Sequence, residues 1–195
     1  LGDINVKRKE LINFNLSAVF IALGLILPFL TGQIQQIGTM LLPMHIPVLL
    51  CGLICGWKYG LFIGFILPPL RSVIFGMPPM FPTAIAMAFE LATYGVVIGF
   101  LYQRSNKKSV ASVYRSMIGA MISGRIVWGL VMMVILGIRG NIFTWKMFIA
   151  GAFLNAIPGI ILQLVLIPSI MVILDRTKMI QFSKKVKSEV EGSEN

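Results

Sequence analysis

One histidine, two cysteines and seven acidic residues are all that this 195-residue chain carries of the side chains from which most enzyme sites are built. A lone imidazole, His45, excludes any site that needs a pair of them. The cysteines, Cys51 and Cys55, have no acidic or histidine neighbour at a metal-ligand spacing. Four residues apart in an apolar stretch, they read as small hydrophobes on one helix face rather than as a redox pair. Also missing is a Gly-x-x-x-x-Gly-Lys-Ser/Thr loop, so ATP hydrolysis of the usual kind is not expected. The paired-His, His-Glu and Gly-x-Ser-x-Gly arrangements of intramembrane and lipid hydrolases are missing too. The expectation is a protein that is not an enzyme, with no metal site and no cofactor. No repeat of fixed period is visible, which counts against a solitary carrier built from two similar halves.

What the chain has instead is apolar length. Hydrophobic residues make up 57% and charged residues 12%, with a mean hydropathy of +0.88, and several runs approach the roughly 20 residues that cross a bilayer. This is the composition of an integral membrane protein. A net charge of +10 suggests nucleic acid in a soluble protein, but here Lys and Arg gather in short segments outside the apolar runs, as topology signals do. Nucleic acid is therefore not an expected partner; the lipid bilayer is. The first apolar run has no small-residue cleavage site and is followed by further spans, so it reads as a span rather than a cleaved leader.

The basic flanks set the number of crossings. Lys7 to Lys9, Arg104 to Arg115 and Arg176 to Lys187 fall on one side only if the long apolar run from Met44 to Pro68 is a hairpin turning at Lys58. Of the 17 basic residues, all but Arg71, Arg125, Arg139 and Lys146 then lie on that side. The reading is an all-α, multi-pass bundle of six transmembrane helices at about 14–30, 44–57, 59–74, 83–102, 113–137 and 147–174, forming one domain over 1–195. Both termini are expected in the cytoplasm. Gly52, Gly56, Gly60 and Gly64 recur every four residues along the hairpin. Residues 31–43, rich in Gly and Gln and free of charge, suit either a lid or a plain connector. The charged tail from Asp175 suits a short helical extension that frays.

A few polar residues interrupt the apolar spans, where they are costly unless they face protein, ligand or water. At about 1.5 Å per helical residue, Glu90, Arg125 and Asn155 all reach the outer half of one cavity. An unpaired Glu or Arg there costs roughly 2.5–3.5 kcal/mol, so Glu90 and Arg125 are expected to face each other, a ligand or water. Arg71, at the outer end of its short span, either snorkels to the interface or captures an anion. His45 begins a helix at the same outer level, where a helix N-terminus also favours an anion. Trp128, one turn from Arg125, offers an apolar wall or touches lipid. In the first span, Ala18 and Ala22 stack on one face and let another helix approach closely, within the bundle or outside it.

Three stretches carry a resemblance: Met-Leu-Leu-Pro-Met-His-Ile-Pro-Val-Leu-Leu-Cys-Gly-Leu-Ile-Cys-Gly, the Tyr-Gly-Leu that follows, and Gly-Met-Pro-Pro-Met-Phe-Pro-Thr-Ala. Across most of residues 14–174 the chain resembles the substrate-binding S components of energy-coupling factor (ECF) vitamin transporters. The resemblance implies a six-helix bundle in the bacterial cytoplasmic membrane. Such a bundle binds a vitamin-like small molecule near its outer face and topples in the membrane during import. It also implies association with a transmembrane T component and two cytoplasmic ATPases, which would use the ATP. Ala18 and Ala22 match the family's small-x-x-x-small contact with the T component. Family members differ most in their ligand residues, so the resemblance carries over no particular vitamin. His45, Arg71 and Arg125 favour a carboxylate-bearing one, with pantothenate first and hydroxymethylpyrimidine or a pyridoxine vitamer as alternatives.

Overall fold

Among the described residues, the most deeply buried helix is only ten residues long. In the computed structural model, which describes residues 2–31, 40–106, 108–140, 142, 144–152 and 154–176, every regular element among the described residues is helical. Helix α1 (Gly2–Ile26) ends in a 3-10 turn, Leu27–Thr31. Helix α2 (His45–Ile54) and helix α3 (Trp57–Phe75) form a hairpin. A π-helical turn, Met80–Ala84, leads into α4 (Ile85–Arg104), and α5 is Val110–Ile138. A short α6 (Trp145–Ala152) and a 3-10 turn (Leu154–Ala156) precede α7 (Ile157–Arg176).

Five stretches are long and apolar enough to cross a membrane: Glu10–Phe29, Trp57–Phe75, Met80–Arg104, Val110–Ile138 and Trp145–Arg176. Their outward faces carry large apolar side chains such as Phe14, Val19, Phe62, Ile122, Ile126 and Val165, the surface that lipid wets. Helix α2 is different. At ten residues it is about 15 Å long, half the thickness of the hydrocarbon core. Nine of its ten residues are buried, as expected of a helix that is apolar all round. It is the axis about which the longer helices pack, with Leu49, Ile63, Leu67, Leu91, Ile98, Met117, Ile167 and Met171 fully enclosed around it.

The hairpin turns at Cys55–Gly56, two residues before Lys58. Gly56 sits at φ 102°, a backbone conformation that side chains disfavour, and the N–H groups of Cys55 and Gly56 both donate to the Cys51 carbonyl. Beyond the turn, α3 and α4 run antiparallel with their backbones nearly touching. A Cβ on Gly60 would stand 2.7 Å from the Gly95 carbonyl oxygen, and one on Gly64 would overlap the backbone of Leu91. Glycines 60 and 64 thus face Gly95 and Leu91, a small-residue contact that draws two membrane helices together where no hydrophobic drive exists between them. This contact holds α4, and with it Glu90, against the hairpin.

The span expected at 147–174 is not continuous. A 3-10 turn, Leu154–Ala156, precedes α7, and Pro158 falls in the first turn of α7, where its missing N–H costs nothing. Most of the 31–43 segment (32–39) and the tail beyond Arg176 (177–195) lie outside the described residues. Cys51 and Cys55 are buried free thiols, the Cys51 sulfur 3.9 Å from Ser17 Oγ, and they pack as small apolar groups between α1 and α2.

Candidate functional site

Three helices bring polar groups to one buried point. Met44 precedes α2 as its cap, so His45 is the first helical residue, and Pro47 falls in the first turn, where its missing N–H costs nothing. Helix α4, held close by the glycine contact, presents Glu90 and, one turn on, Tyr94. Helix α5 presents Arg125 from mid-length. Its neighbour Gly124 lies against the Tyr94 ring so closely that any Cβ would overlap it, and this lets ring and guanidinium share one level.

Arg125 Nη1 stands 2.8 Å from Glu90 Oε1, and His45 Nε2 stands 3.6 Å from the same oxygen. All three side chains are buried, at 5%, 1% and 0% exposure. Tyr94 follows Glu90 by one helical turn, and its ring centroid is 5.2 Å from that of His45. The cluster is far from complete. Arg125 Nε and Nη2 have no hydrogen-bond acceptor, and neither nitrogen of His45 has a hydrogen-bond partner. A buried donor without a partner costs on the order of 1–3 kcal/mol, and buried polar groups are ordinarily paired.

The two idle donors of Arg125 are adjacent. Nε–H and one Nη2–H point the same way from the guanidinium plane, the side-on fork that takes the two oxygens of a carboxylate. Glu90 uses the other end of the group. The arrangement therefore holds a guanidinium in place by one carboxylate and leaves its bidentate edge without an acceptor.

His45 is fully buried as the first residue of α2, so the positive end of the α2 dipole faces the cluster that Glu90 and Arg125 complete.

The other anticipated residues sit elsewhere. Arg71 is buried but turned away from the cluster: Nη1 donates to the Leu25 carbonyl at 2.5 Å, and the guanidinium lies between the rings of Phe29 and Phe75 at 5.2 and 5.3 Å. It ties the C-terminal ends of α1 and α3. Trp128 is half-buried and faces α6, its ring 6.4 Å from that of Phe148 and against Gly151. Asn155 is exposed in the 3-10 turn before α7. Ala18 and Ala22 are both exposed on α1, opposite the buried Ser17, Phe20 and Gly24.

Two residues were not anticipated. Tyr94 joins the cluster through the four-residue spacing from Glu90, a signal present in the sequence. Gln163 on α7 is buried with Nε2 unpartnered; a lone amide in the apolar run Ile-Ile-Leu-Gln-Leu-Val-Leu marked it as inward-facing. A separate apolar groove of about 330 Å³ lies between α4 and α5, lined by Ile85, Phe89, Leu130, Val131, Val134 and Ile135, and no polar side chain of the cluster lines it.

A family model described as ECF transporter, substrate-specific component, matches residues 15–171. No curated protein and no solved structure matches the chain significantly.

Proposed function

This chain belongs to the family of ECF transporter substrate-specific components, and from that membership we propose the ligand, the way it is held and the face that meets the partner. Membership makes it a multi-pass membrane subunit that binds a substrate for an ECF importer, a transporter part rather than an enzyme, and it implies a T component and ATPases as partners. In our reading the chain crosses the bacterial cytoplasmic membrane six times, α2 counting as a half-depth crossing, with both termini inside. It needs no cofactor of its own, because ATP is used by the partner ATPases.

The ligand in this reading is a small water-soluble vitamin or precursor bearing a carboxylate, with pantothenate favoured. The observation that supports it is the open Nε–Nη2 edge of Arg125, buried beside Glu90. A carboxylate there gains two charge-assisted hydrogen bonds of about 1.5–3 kcal/mol each. His45 and Tyr94 are the polar groups that would meet the rest of the molecule. Arg71, bound to Leu25, is assigned to the scaffold, and Trp128 to the wall toward α6. A heteroaromatic ligand of the hydroxymethylpyrimidine or pyridoxine type is the second reading, favoured by the His45–Tyr94 ring pair.

Titration calorimetry on the purified chain in lipid nanodiscs tests this, comparing pantothenate with the alcohol that replaces its carboxylate. The acid is expected to bind at least about 100-fold more tightly, the lower end of what two such bonds contribute. Equal affinity for acid and alcohol, or binding of neutral heteroaromatic vitamers alone, would turn the reading to the second class.

For partner binding, the exposed Ala18–Ala22 face of α1 is the surface we assign to the T component. Small residues four apart allow close backbone approach, the main source of helix affinity in lipid.

A further inference from the structure

Before any ligand enters, the buried cluster is balanced in charge: Arg125 contributes one positive charge and Glu90 one negative, 2.8 Å apart. A carboxylate on the free edge of Arg125 adds a second negative charge where water is excluded. A buried charge without compensation is costly, and proteins avoid it by pairing the group or changing its protonation. The cluster contains a group suited to that change. His45 is fully buried, its Nε2 is 3.6 Å from Glu90 Oε1, and neither ring nitrogen has a hydrogen-bond partner. Packing alone does not account for an imidazole with both nitrogens idle. As an imidazolium it donates from both, one toward Glu90 and one toward an incoming anion.

The groups that face His45 narrow the choice of proton carrier. From α4 come Glu90 and Tyr94, and from α5 comes Arg125. Among the described residues, α1, α3 and α7 bring no charged side chain to the ring, since Arg71 is engaged with Leu25. A guanidinium is always protonated, and a phenol keeps its proton at neutral pH. Of the two remaining, an imidazole is ordinarily about two pH units more basic than a carboxyl group.

We propose that the site takes up its carboxylate ligand together with one proton, held on His45, so that the loaded cluster is again neutral. This rests on the carboxylate reading of the site. The proton comes from solvent as the ligand enters, and no bond within the ligand changes. The sign follows directly. While His45 of the free protein is neutral, lowering the pH by one unit strengthens binding about tenfold, because one proton joins per ligand. Once the free protein already holds that proton, affinity no longer changes with pH. The same balance selects monoanions, since a dianion would leave one negative charge uncompensated.

The experiment is calorimetry of pantothenate binding to the full chain in nanodiscs, purified without a histidine tag, near neutral pH in buffers of different ionisation enthalpy. The dependence of the heat on the buffer counts the protons taken up. Close to one proton per ligand is expected for the native chain. His45→Gln should bind more weakly, with no proton uptake and a flat pH profile. Glu90→Gln removes the competing negative charge, so it should bind pantothenate with no proton uptake as well. Because the chain has one histidine, nitrogen NMR of the imidazole reports this ring without assignment, and pantothenate should move it to the doubly protonated pattern. Binding that depends on Arg125 but takes up no proton would overturn the proposal and leave the carboxylate reading standing. Proton uptake that persists in His45→Gln would place the proton elsewhere and overturn it too. Absence of pantothenate binding at every pH tried would overturn both.

Discussion

Arg71 and Arg125 are both buried, at 2% and 5% exposure, and each lies in a helix that crosses the apolar core, yet their surroundings differ in kind. Arg71 meets a free carbonyl near the end of α1, one of the last four that a helix leaves without an internal partner, and two aromatic faces enclose it. Phe29 and Phe75 also pack edge to face at 4.9 Å, so clamp and cation form one unit. Arg125 meets one carboxylate oxygen and leaves two adjacent donors idle. A guanidinium wrapped by rings and a helix end locks two helices together. One with two adjacent idle donors is, in our proposal, half of a recognition pair. Burial alone does not distinguish the two arginines; the donors left without partners do.

The sharpest way to break that contrast is to truncate each arginine and read ligand affinity and fold separately. Arg125→Ala is expected to weaken pantothenate binding by at least about 100-fold, since two charge-assisted bonds of about 1.5–3 kcal/mol each are lost. Glu90 then loses its cation, a cost to stability, but the protein should still insert and elute as a single species in size-exclusion chromatography, because the glycine contact of α3 with α4 and the apolar core are untouched. Arg125→Lys keeps the charge but loses the fork, and should recover only a small part of the affinity. Calorimetry on both variants is the check, and affinity in Arg125→Lys equal to native would mean that charge alone matters.

Arg71→Met should do the reverse. It removes one charge-assisted bond and two cation–aromatic contacts, a loss of about 2–4 kcal/mol in helix anchoring. Thermal unfolding in detergent should begin several degrees lower, while affinity of the intact fraction changes by no more than a few-fold. If Arg71→Met abolished binding without lowering stability, Arg71 would belong to the site after all and the contrast would collapse.

The smallest effect on binding is expected at α1. Ala18→Trp and Ala22→Trp place a bulky ring on an exposed face, away from His45, Glu90 and Arg125, so affinity should stay within about two-fold. Uptake by cells carrying the full transporter should fall severely, because the ring holds the partner backbone away. Loss of binding in step with uptake would instead place the alanines in the packing of the bundle.

Much of this protein could be read without coordinates. Apolar length and the scarcity of charge determine a helical membrane protein, since lipid admits only segments that satisfy their own backbone. The family likeness over the middle of the chain and the pairing of Glu90 with Arg125 were also legible, the latter because two lone opposite charges in apolar spans are far cheaper together than apart. Four-residue spacing made the glycine face of the hairpin visible; its counterpart at Gly95 became evident only in the packing.

Tertiary structure decided which polar residues share the site. Arg71 and Asn155 looked equivalent to Arg125 on the hydropathy profile, because distance along a helix measures depth and says nothing of direction around the axis. The carbonyl of Leu25 and two phenylalanine rings, near Arg71 only after α1 and α3 pack, engage one of them; the other is exposed in the 3-10 turn before α7. The burial of His45 follows from α4 and α5 packing against the N-terminus of α2. What sequence determines here is what lipid demands of each segment taken singly. Which donors remain without acceptors is a property of three helices at once, and only their packing decides it.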